Sequence, residues 1–213
     1  MKIKDIYQRL GIIPDLVEHM LTVTKVVLFI KRHWRGPEID WKRLVKTALL
    51  HDVGNIVKFD FDKYPQFLGK EQKRILHWKK TQAQTIAKYG TDDHEATKKM
   101  LKELKLDQEM IKVILEKSFG NSVQVAKGNN WYAKILHYAD GRVMPHGVVT
   151  LEERFQDVRE RRPKYTNRPD FEDLLTASRE IESQIQAQLD MPISAINKKT
   201  IGAIKKDFLE VKV

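Results

Sequence analysis

The sequence predicts an all-α protein, a helical bundle with additional helices at its C-terminal end. Apolar residues recur at the spacing of amphipathic helices, and glycine or proline separates the segments that show this spacing. A hydrophobic content of 41% and a charged content of 32% are typical of a globular chain rather than a disordered one. Residues 1–150 are expected to form one helical domain, and residues 151–213 a helical extension packed on it.

The helices can be placed along the chain from these patterns. The first is expected from Pro14 to about Trp34, because proline suits the first turn of a helix. The second ends at His51 and Asp52, with Gly54 as its C-terminal cap. Further helices are expected at residues 70–89, from residue 92, and at 108–117, 130–140, 171–189 and 195–209. Residues 55–69 and 163–169 are expected to be loops, and residues 123–125 a short extended piece.

The chain has no cysteine and a formal net charge of +10. Without cysteine, a metal ion would have to be bound by His, Asp or Glu. The basic excess lies in residues 1–150, because residues 151–213 carry 12 basic and 12 acidic side chains. Such an excess can attract phosphorylated ligands, although lysines on exposed helix faces also simply keep a protein soluble. Nucleic acid is not favoured as a partner, since aromatic and basic residues do not alternate as in an RNA-binding platform.

No membrane segment is apparent in the sequence. The N-terminal residues lack the apolar core of a signal peptide. The longest apolar-rich run, Met20 to Ile30, contains polar residues and is too short to span a bilayer. We therefore expect a cytoplasmic protein that does not interact with membranes.

A histidine and an aspartate stand side by side at the end of an apolar helix face. The apolar residues between Trp41 and Ala48 keep a helical spacing that Asp52 continues, and His51 is its neighbour. A carboxylate carried into a core needs a partner, because burying a bare charge costs far more than burying an apolar group. A metal ion is one such partner.

Two further helices show the same interruption of an apolar face by a potential ligand. His19 lies on the apolar face of the first helix, and Asp140 ends the apolar face of the helix at residues 130–140. Singly, each residue is explained as a buried polar group, but together they favour a shared cation. Two imidazoles and two carboxylates suit Mn²⁺, Fe²⁺, Co²⁺, Ni²⁺ or Zn²⁺ better than Mg²⁺. The predicted metal ligands are His19, His51, Asp52 and Asp140.

The order His … His-Asp … Asp on a helical chain resembles the HD-domain superfamily of metal-dependent phosphohydrolases, over about residues 14–150. The resemblance implies a helical bundle whose core holds one or two divalent ions, with these four residues as ligands. It also implies activity on nucleotides or other phosphoesters. Members with two ions have further histidines before the last aspartate, where this chain offers His94, and this difference favours a single ion.

Candidate catalytic residues surround the predicted ligands in the sequence. A bound divalent ion would activate water and polarise a phosphoryl oxygen, so Asp52 is counted as catalytic as well as a ligand. Arg142 and Lys58 are candidates for holding phosphate, although each could equally be an ordinary surface charge. His94 is expected to face inward and to contact the phosphate or the attacking water. The alternatives for His94 are a ligand of a second ion and a hydrogen-bonded core histidine.

These observations favour a metal-dependent phosphohydrolase that uses metal-activated water on a small phosphoester, with a nucleotide as the first candidate. It could be a phosphomonoesterase or a phosphodiesterase. One alternative is a non-catalytic regulatory module that binds a metal and a nucleotide. Another is a di-iron oxygenase of related helical architecture, which the scarcity of histidines disfavours. The helices expected at residues 171–209 contain no histidine, so they are predicted to be a cap or an interaction surface outside the site. The oligomeric state is left open.

Overall fold

The computed structural model describes residues 1–145, 147–161, 166–202 and 206–213. This described part contains ten α-helices and one pair of short strands, so the all-α prediction is confirmed. Strands β1 (Val143–Met144) and β2 (Gly147–Val148) pair antiparallel, with Val143 opposite Val148. The helices are α1 (Ile3–Leu10), α2 (Pro14–His33), α3 (Trp41–Leu50), α4 (Ile75–Tyr89), α5 (Asp93–Glu103), α6 (Gln108–Glu116), α7 (Ser122–Lys127), α8 (Trp131–Gly141), α9 (Leu151–Arg161) and α10 (Phe171–Gln186).

Four helices form the bundle around the candidate site. Helix α2 is buried along most of its length, from Leu16 to Ile30, as expected for a helix with apolar residues on more than one face. It packs on α3 and α8, and α3 and α8 also contact each other and α6. The ends of α3 and α8 that carry Asp52 and Asp140 are therefore brought beside His19 on α2.

The N-terminal helix α1 is not anticipated from the sequence. It is only eight residues long, and its buried side chains are Ile3, Ile6 and Tyr7. An apolar face of three residues is too short to distinguish a helix from an irregular segment. Tertiary contacts decide the outcome, because α1 packs against residues 206–210 near the C-terminal end of the chain.

Two predicted elements differ from the structure in their type or limits. Residues 123–125, expected to be extended, belong to the helix Ser122–Lys127, whose buried residues include Val125 and Ala126. The helix predicted from residue 70 begins at Ile75, because Pro65–Arg74 forms 3₁₀ turns that are interrupted at Gly69, where φ is +48°. The segment predicted as a loop at residues 55–69 begins with a further 3₁₀ turn, Asn55–Lys58.

The prediction of a last helix at residues 195–209 is wrong for the residues that the structure describes. Two 3₁₀ turns occur there instead, Ile193–Ala195 and Lys206–Glu210, and irregular chain follows the first of them. Residues 203–205 lie outside the described residues. Residues 163–165 of the predicted loop also lie outside them. Helix α10 ends at Gln186, slightly earlier than the predicted residue 189.

Gly54 is needed for a close contact rather than for a helix cap. Its φ of −89° lies outside the left-handed region that favours glycine. A Cβ atom at this position would lie 2.4 Å from the Thr97 hydroxyl oxygen and 2.5 Å from the Thr97 backbone nitrogen. The Gly54 amide donates a hydrogen bond to that hydroxyl, over 3.1 Å. Glycine therefore lets α5 pack directly on the turn that carries His51 and Asp52.

The C-terminal part of the chain shares the core of the preceding helices. Helix α10 packs on α7 and α8, and α9 packs on α10. Buried residues from Ile3 to Ile196 form one continuous apolar cluster. None of the described helices combines the length and the apolar character needed to cross a bilayer.

Candidate metal centre

Four side chains from three neighbouring elements converge on one point. His19 comes from α2, His51 and Asp52 from the turn after α3, and Asp140 from α8. Each offers one nitrogen or carboxylate oxygen, and these atoms all lie within 4.8 Å of one another. The structure therefore brings together the four residues that were selected from the sequence as metal ligands.

Both imidazoles face both carboxylates. His19 Nε2 lies 3.1 Å from Asp140 Oδ1 and 3.6 Å from Asp52 Oδ2. His51 Nε2 lies 3.4 Å from Asp140 Oδ1 and 3.6 Å from Asp52 Oδ1. Two nitrogens and the carboxylate oxygens thus surround a common space of the size that a metal ion needs.

The hydrogen bonding of His51 indicates that this space suits a cation. His51 Nδ1 lies 2.7 Å from the Ala48 carbonyl oxygen, and because a carbonyl can only accept, Nδ1 carries the proton. In a neutral ring, Nε2 then presents a lone pair to the carboxylates. Among the buried side-chain atoms of the described residues, this nitrogen is the one that lacks a hydrogen-bond partner. Such an arrangement is unfavourable unless a cation lies between these groups or the ring takes a second proton. The residues present therefore fit a divalent ion.

A fifth charged member of the cluster, Lys117, was not selected from the sequence. Its Nζ lies 2.6 Å from Asp140 Oδ2 and 3.0 Å from Asp52 Oδ1, and its side chain is only 8% exposed. A signal for this position was available. Lys117 follows the buried Met110 and Ile114 of α6 at a spacing of seven and three residues, so it continues the apolar face of that helix just as Asp52 does for α3.

The charges of the cluster keep one another ionised. Burial alone would raise the pKa of Asp52, but the charges of His51 and Lys117 outweigh burial and hold this pKa well below its usual range. The pKa of Asp140 is likewise held low against burial, mainly by Lys117 and also by the neighbouring imidazoles of His19 and His51. For Lys117, burial lowers the pKa, but the two carboxylates raise it more, so the net shift is upward.

His137 connects this cluster to the C-terminal helix α10. Its Nδ1 donates to the Lys117 backbone carbonyl over 2.8 Å, and its Nε2 lies 3.2 Å from the Ser178 hydroxyl oxygen. Burial lowers the pKa of His137, which favours the neutral ring. His137 therefore holds the backbone of Lys117 in place.

The cluster opens into a cavity of about 320 Å³ that the C-terminal part of the chain helps to line. Leu151, Phe155 and Val158 of α9 form an apolar part of its wall, and Ser178 of α10 also contributes. The expectation that residues 171–209 stay outside the site thus does not hold for Ser178. Helix α9 provides more of the wall than α10 does.

Lys58 and His94 both line the same cavity. Lys58 Nζ lies 2.6 Å from Asp93 Oδ2; burial raises the pKa of that carboxyl, but Lys58 lowers it more. His94 is exposed in the first turn of α5, so the expectation that it faces inward is corrected. It lies beside Asp92 and Asp93, and these three form a second group with metal-ligand atoms among the described residues. In that group Asp92 caps α5 and Asp93 pairs with Lys58, so each carboxylate already has a partner.

The structure does not bring Arg142 to the cavity. Its buried guanidinium donates to the Ile196 carbonyl over 2.7 Å, and also to the Val149 carbonyl and the Tyr138 hydroxyl. Glu182 lies 3.8 Å away as a further partner. Instead of holding phosphate, Arg142 ties the end of α8 to the C-terminal part of the chain.

Replacing Arg142 by methionine is expected to lower the free energy of unfolding by about 3 kcal/mol, because buried acceptors lose a charged donor. Urea denaturation measures this change. Arg74→Met, which removes an exposed arginine, should change stability by less than about 0.5 kcal/mol. Metal affinity should stay the same in both variants. A clear loss of metal binding in Arg142→Met alone would show that this residue belongs to the site.

Comparison with known proteins supports the interpretation of this cluster. A family model described as the HD domain matches residues 16–144. This range contains all four candidate ligands and the helices that position them. No curated protein and no solved structure gives a significant match.

Proposed function

Because the chain belongs to the HD domain family, a superfamily of metal-dependent phosphohydrolases, we propose that it hydrolyses a small phosphoester, with a nucleotide as the first candidate substrate. One observation carries this proposal. Two imidazoles and two carboxylates converge at the wall of a cavity, and the buried His51 Nε2 has no hydrogen-bond partner in the described part of the chain.

His19, His51, Asp52 and Asp140 would hold the ion. When bound, a divalent ion lowers the pKa of a coordinated water and polarises a phosphoryl oxygen. The mixed nitrogen and oxygen donors favour Mn²⁺, Fe²⁺, Co²⁺, Ni²⁺ or Zn²⁺ over Mg²⁺. The Ala48 carbonyl contributes by fixing the orientation of the His51 ring, since a partner on one imidazole nitrogen determines where the other points.

The cavity offers separate environments for the two parts of a nucleotide. Lys58 and Lys117 place positive charge at the cavity, where a phosphoryl group needs it. The apolar side chains of α9, which include Phe155, suit a base or another apolar group of the substrate. A volume of about 320 Å³ also lies within the usual range of small-molecule pockets. These features support a substrate that combines a phosphate with an apolar group.

A screen for hydrolysis tests the proposed function. Nucleotides and bis(p-nitrophenyl) phosphate are offered to the full chain with Mn²⁺, Co²⁺, Ni²⁺ or Mg²⁺, and a parallel preparation of Asp52→Asn reveals contaminating phosphatases. We expect hydrolysis that requires the metal and stops when a chelator is added. If the chain binds metal but hydrolyses none of these phosphoesters, the non-catalytic binding module becomes the better interpretation.

His94→Gln is expected to lower turnover by about 10²-fold while metal remains bound, because one positioned imidazole typically contributes on this scale. The motivation is its place at the cavity beside Lys58 and Asp93. Steady-state kinetics with the best substrate measures the effect. His77→Gln is the matched control, since His77 is exposed and contacts the Trp78 ring edge-to-face outside the cavity lining. Unchanged turnover in His94→Gln would remove this residue from the mechanism.

A further inference from the structure

Lys117 bonds one oxygen of each carboxylate in the cluster and leaves the other oxygen to the imidazoles. Asp140 Oδ1 lies 3.1 and 3.4 Å from the imidazole nitrogens, whereas Asp140 Oδ2 lies 2.6 Å from Lys117 Nζ. Asp52 Oδ2 lies 3.6 Å from His19 Nε2, whereas Asp52 Oδ1 lies 3.0 Å from the same ammonium and 3.6 Å from His51 Nε2. An ion bound by the two imidazoles, Asp140 Oδ1 and Asp52 Oδ2 is therefore compatible with an ammonium that keeps Asp140 Oδ2 and Asp52 Oδ1.

We propose that Lys117 is a permanent cation of the metal centre, which limits the centre to one divalent ion, weakens the binding of that ion and strengthens the binding of phosphate. This inference rests on the proposed function, because it assumes that a metal ion is bound at these four residues. Lys117 acts by its positive charge and by its bonds to the carboxylates of Asp52 and Asp140.

Lys117 does not simply replace the metal ion. Its Nζ satisfies the carboxylates but not His51, because His51 Nε2 still lacks a partner among the described residues. The ammonium therefore leaves His51 Nε2 without a partner, and a metal ion would provide one. It also occupies Asp52 Oδ1 and Asp140 Oδ2, which a second ion would need in order to share these carboxylates.

The position of the ammonium is fixed by its surroundings. The Lys117 side chain is almost fully buried, and its backbone carbonyl accepts a hydrogen bond from His137. His137 is in turn held by Ser178 of α10. Separating a buried ammonium from two carboxylate partners would leave unpaired charges behind, so the ammonium stays at the site when other cations arrive.

The net charge of the loaded site follows from this arrangement. Two carboxylates, one ammonium and one divalent ion leave a single positive charge when the imidazoles are neutral. Without the ammonium the same site would be neutral. A phosphate anion is attracted more strongly by the charged site, whereas a metal ion is held less strongly because the ammonium repels it.

A Mn²⁺ titration of the full chain, followed by calorimetry or electron paramagnetic resonance, tests the proposal. Wild type should bind one ion, and Lys117→Met should bind it about tenfold or more tightly, since like charges a few ångströms apart in a protein repel on this scale. A merely structural role predicts the opposite result, a loss of metal affinity. Lys117→Arg keeps the charge and should stay close to wild type.

Lys134→Met is the matched control. Lys134 is also a buried lysine, but its Nζ is bonded to the Ala126 carbonyl and the Gln184 amide rather than to the cluster. This variant should leave the affinity for Mn²⁺ unchanged. If Lys117→Met does not fold without metal, Lys117→Gln, which removes the charge but keeps a hydrogen-bond donor, provides the same comparison.

Binding of inorganic phosphate to the Mn²⁺-loaded chain is the second measurement. It should weaken about tenfold in Lys117→Met and hardly change in Lys134→Met. Wild type that binds one ion, with equal or weaker metal binding in Lys117→Met, would overturn the role of Lys117 and leave the proposed function standing. Two ions bound to wild type would also overturn it. Wild type that binds no ion would overturn both this role and the metal-dependent function.

Discussion

Replacing Asp52 by asparagine is expected to lower phosphoester hydrolysis by at least about 10³-fold. An amide of the same size lacks the charge that binds the ion, and the ion supplies several kcal/mol of transition-state stabilisation, at about 1.4 kcal/mol per tenfold change in rate. The ratio kcat/KM for the best substrate measures the loss. Circular dichroism should show that the variant remains helical, because the amide oxygen of the new side chain can still accept a hydrogen bond from Lys117.

Asp62→Asn is the control for this experiment. Asp62 carries a side chain that is 81% exposed and pairs with Lys79 on the surface, so this variant should keep full activity. Activity within tenfold of wild type in Asp52→Asn would show that this carboxylate does not bind the essential ion.

The metal-free chain is expected to lose a few kcal/mol of unfolding free energy as the pH falls from 6 to 2. The folded state holds the pKa values of Asp52 and Asp140 below the ordinary value of 3.8 that both regain on unfolding. Their contribution is therefore complete above the unfolded pKa and is lost as the pH falls toward the folded values. One strongly shifted aspartate contributes on the order of 2–3 kcal/mol, and two coupled carboxylates contribute less than twice this amount.

Urea denaturation at a series of pH values, with a chelator present, measures this dependence. In Asp140→Asn the unfolding free energy should fall less between pH 6 and pH 2, because one of the two shifted carboxyls is gone. In Asp62→Asn it should fall as in wild type, since Asp62 is exposed. If wild type and Asp140→Asn respond equally to acid, the charges of the cluster do not stabilise the folded state in the way described.

The candidate ligands could be predicted because helical spacing determines which way their side chains face. His19 and Asp140 interrupt the apolar faces of long helices, and Asp52 extends the face of α3 beyond the last regular turn. Once these faces pack together, their polar residues must meet. The same spacing selects Lys117, but a lysine near a helix C-terminus is usually explained by the helix dipole at the surface. Only the packing of α6 on α3 and α8 shows that this lysine is buried.

The sequence distance between Arg142 and Asp140 was misleading for a geometric reason. Residues two positions apart on a helix point to different sides, so an arginine directly after the last turn does not follow the aspartate into the cavity. Arg142 instead turns toward Ile196 in the C-terminal part of the chain. His94 was expected to face inward because it shares a face with Leu101, but the first turn of α5 lies at the surface.

The contribution of α9 to the cavity depends on tertiary contacts that no local pattern shows. This segment is strongly charged, and its buried residues Leu151, Phe155 and Val158 recur at a spacing of four and three positions. Such a face predicts a helix that packs on something, but it does not identify the surface that it covers. The structure places it over the cavity, where it can contact a substrate.

Anomalous scattering from crystals grown with Mn²⁺ or Co²⁺ tests the central claim most directly. We expect one strong peak at coordination distance from His19 Nε2, His51 Nε2 and oxygens of Asp52 and Asp140. Lys117 should remain bonded to Asp52 Oδ1 and Asp140 Oδ2. No peak at this point, or a peak only at Asp92, Asp93 and His94, would contradict the claim.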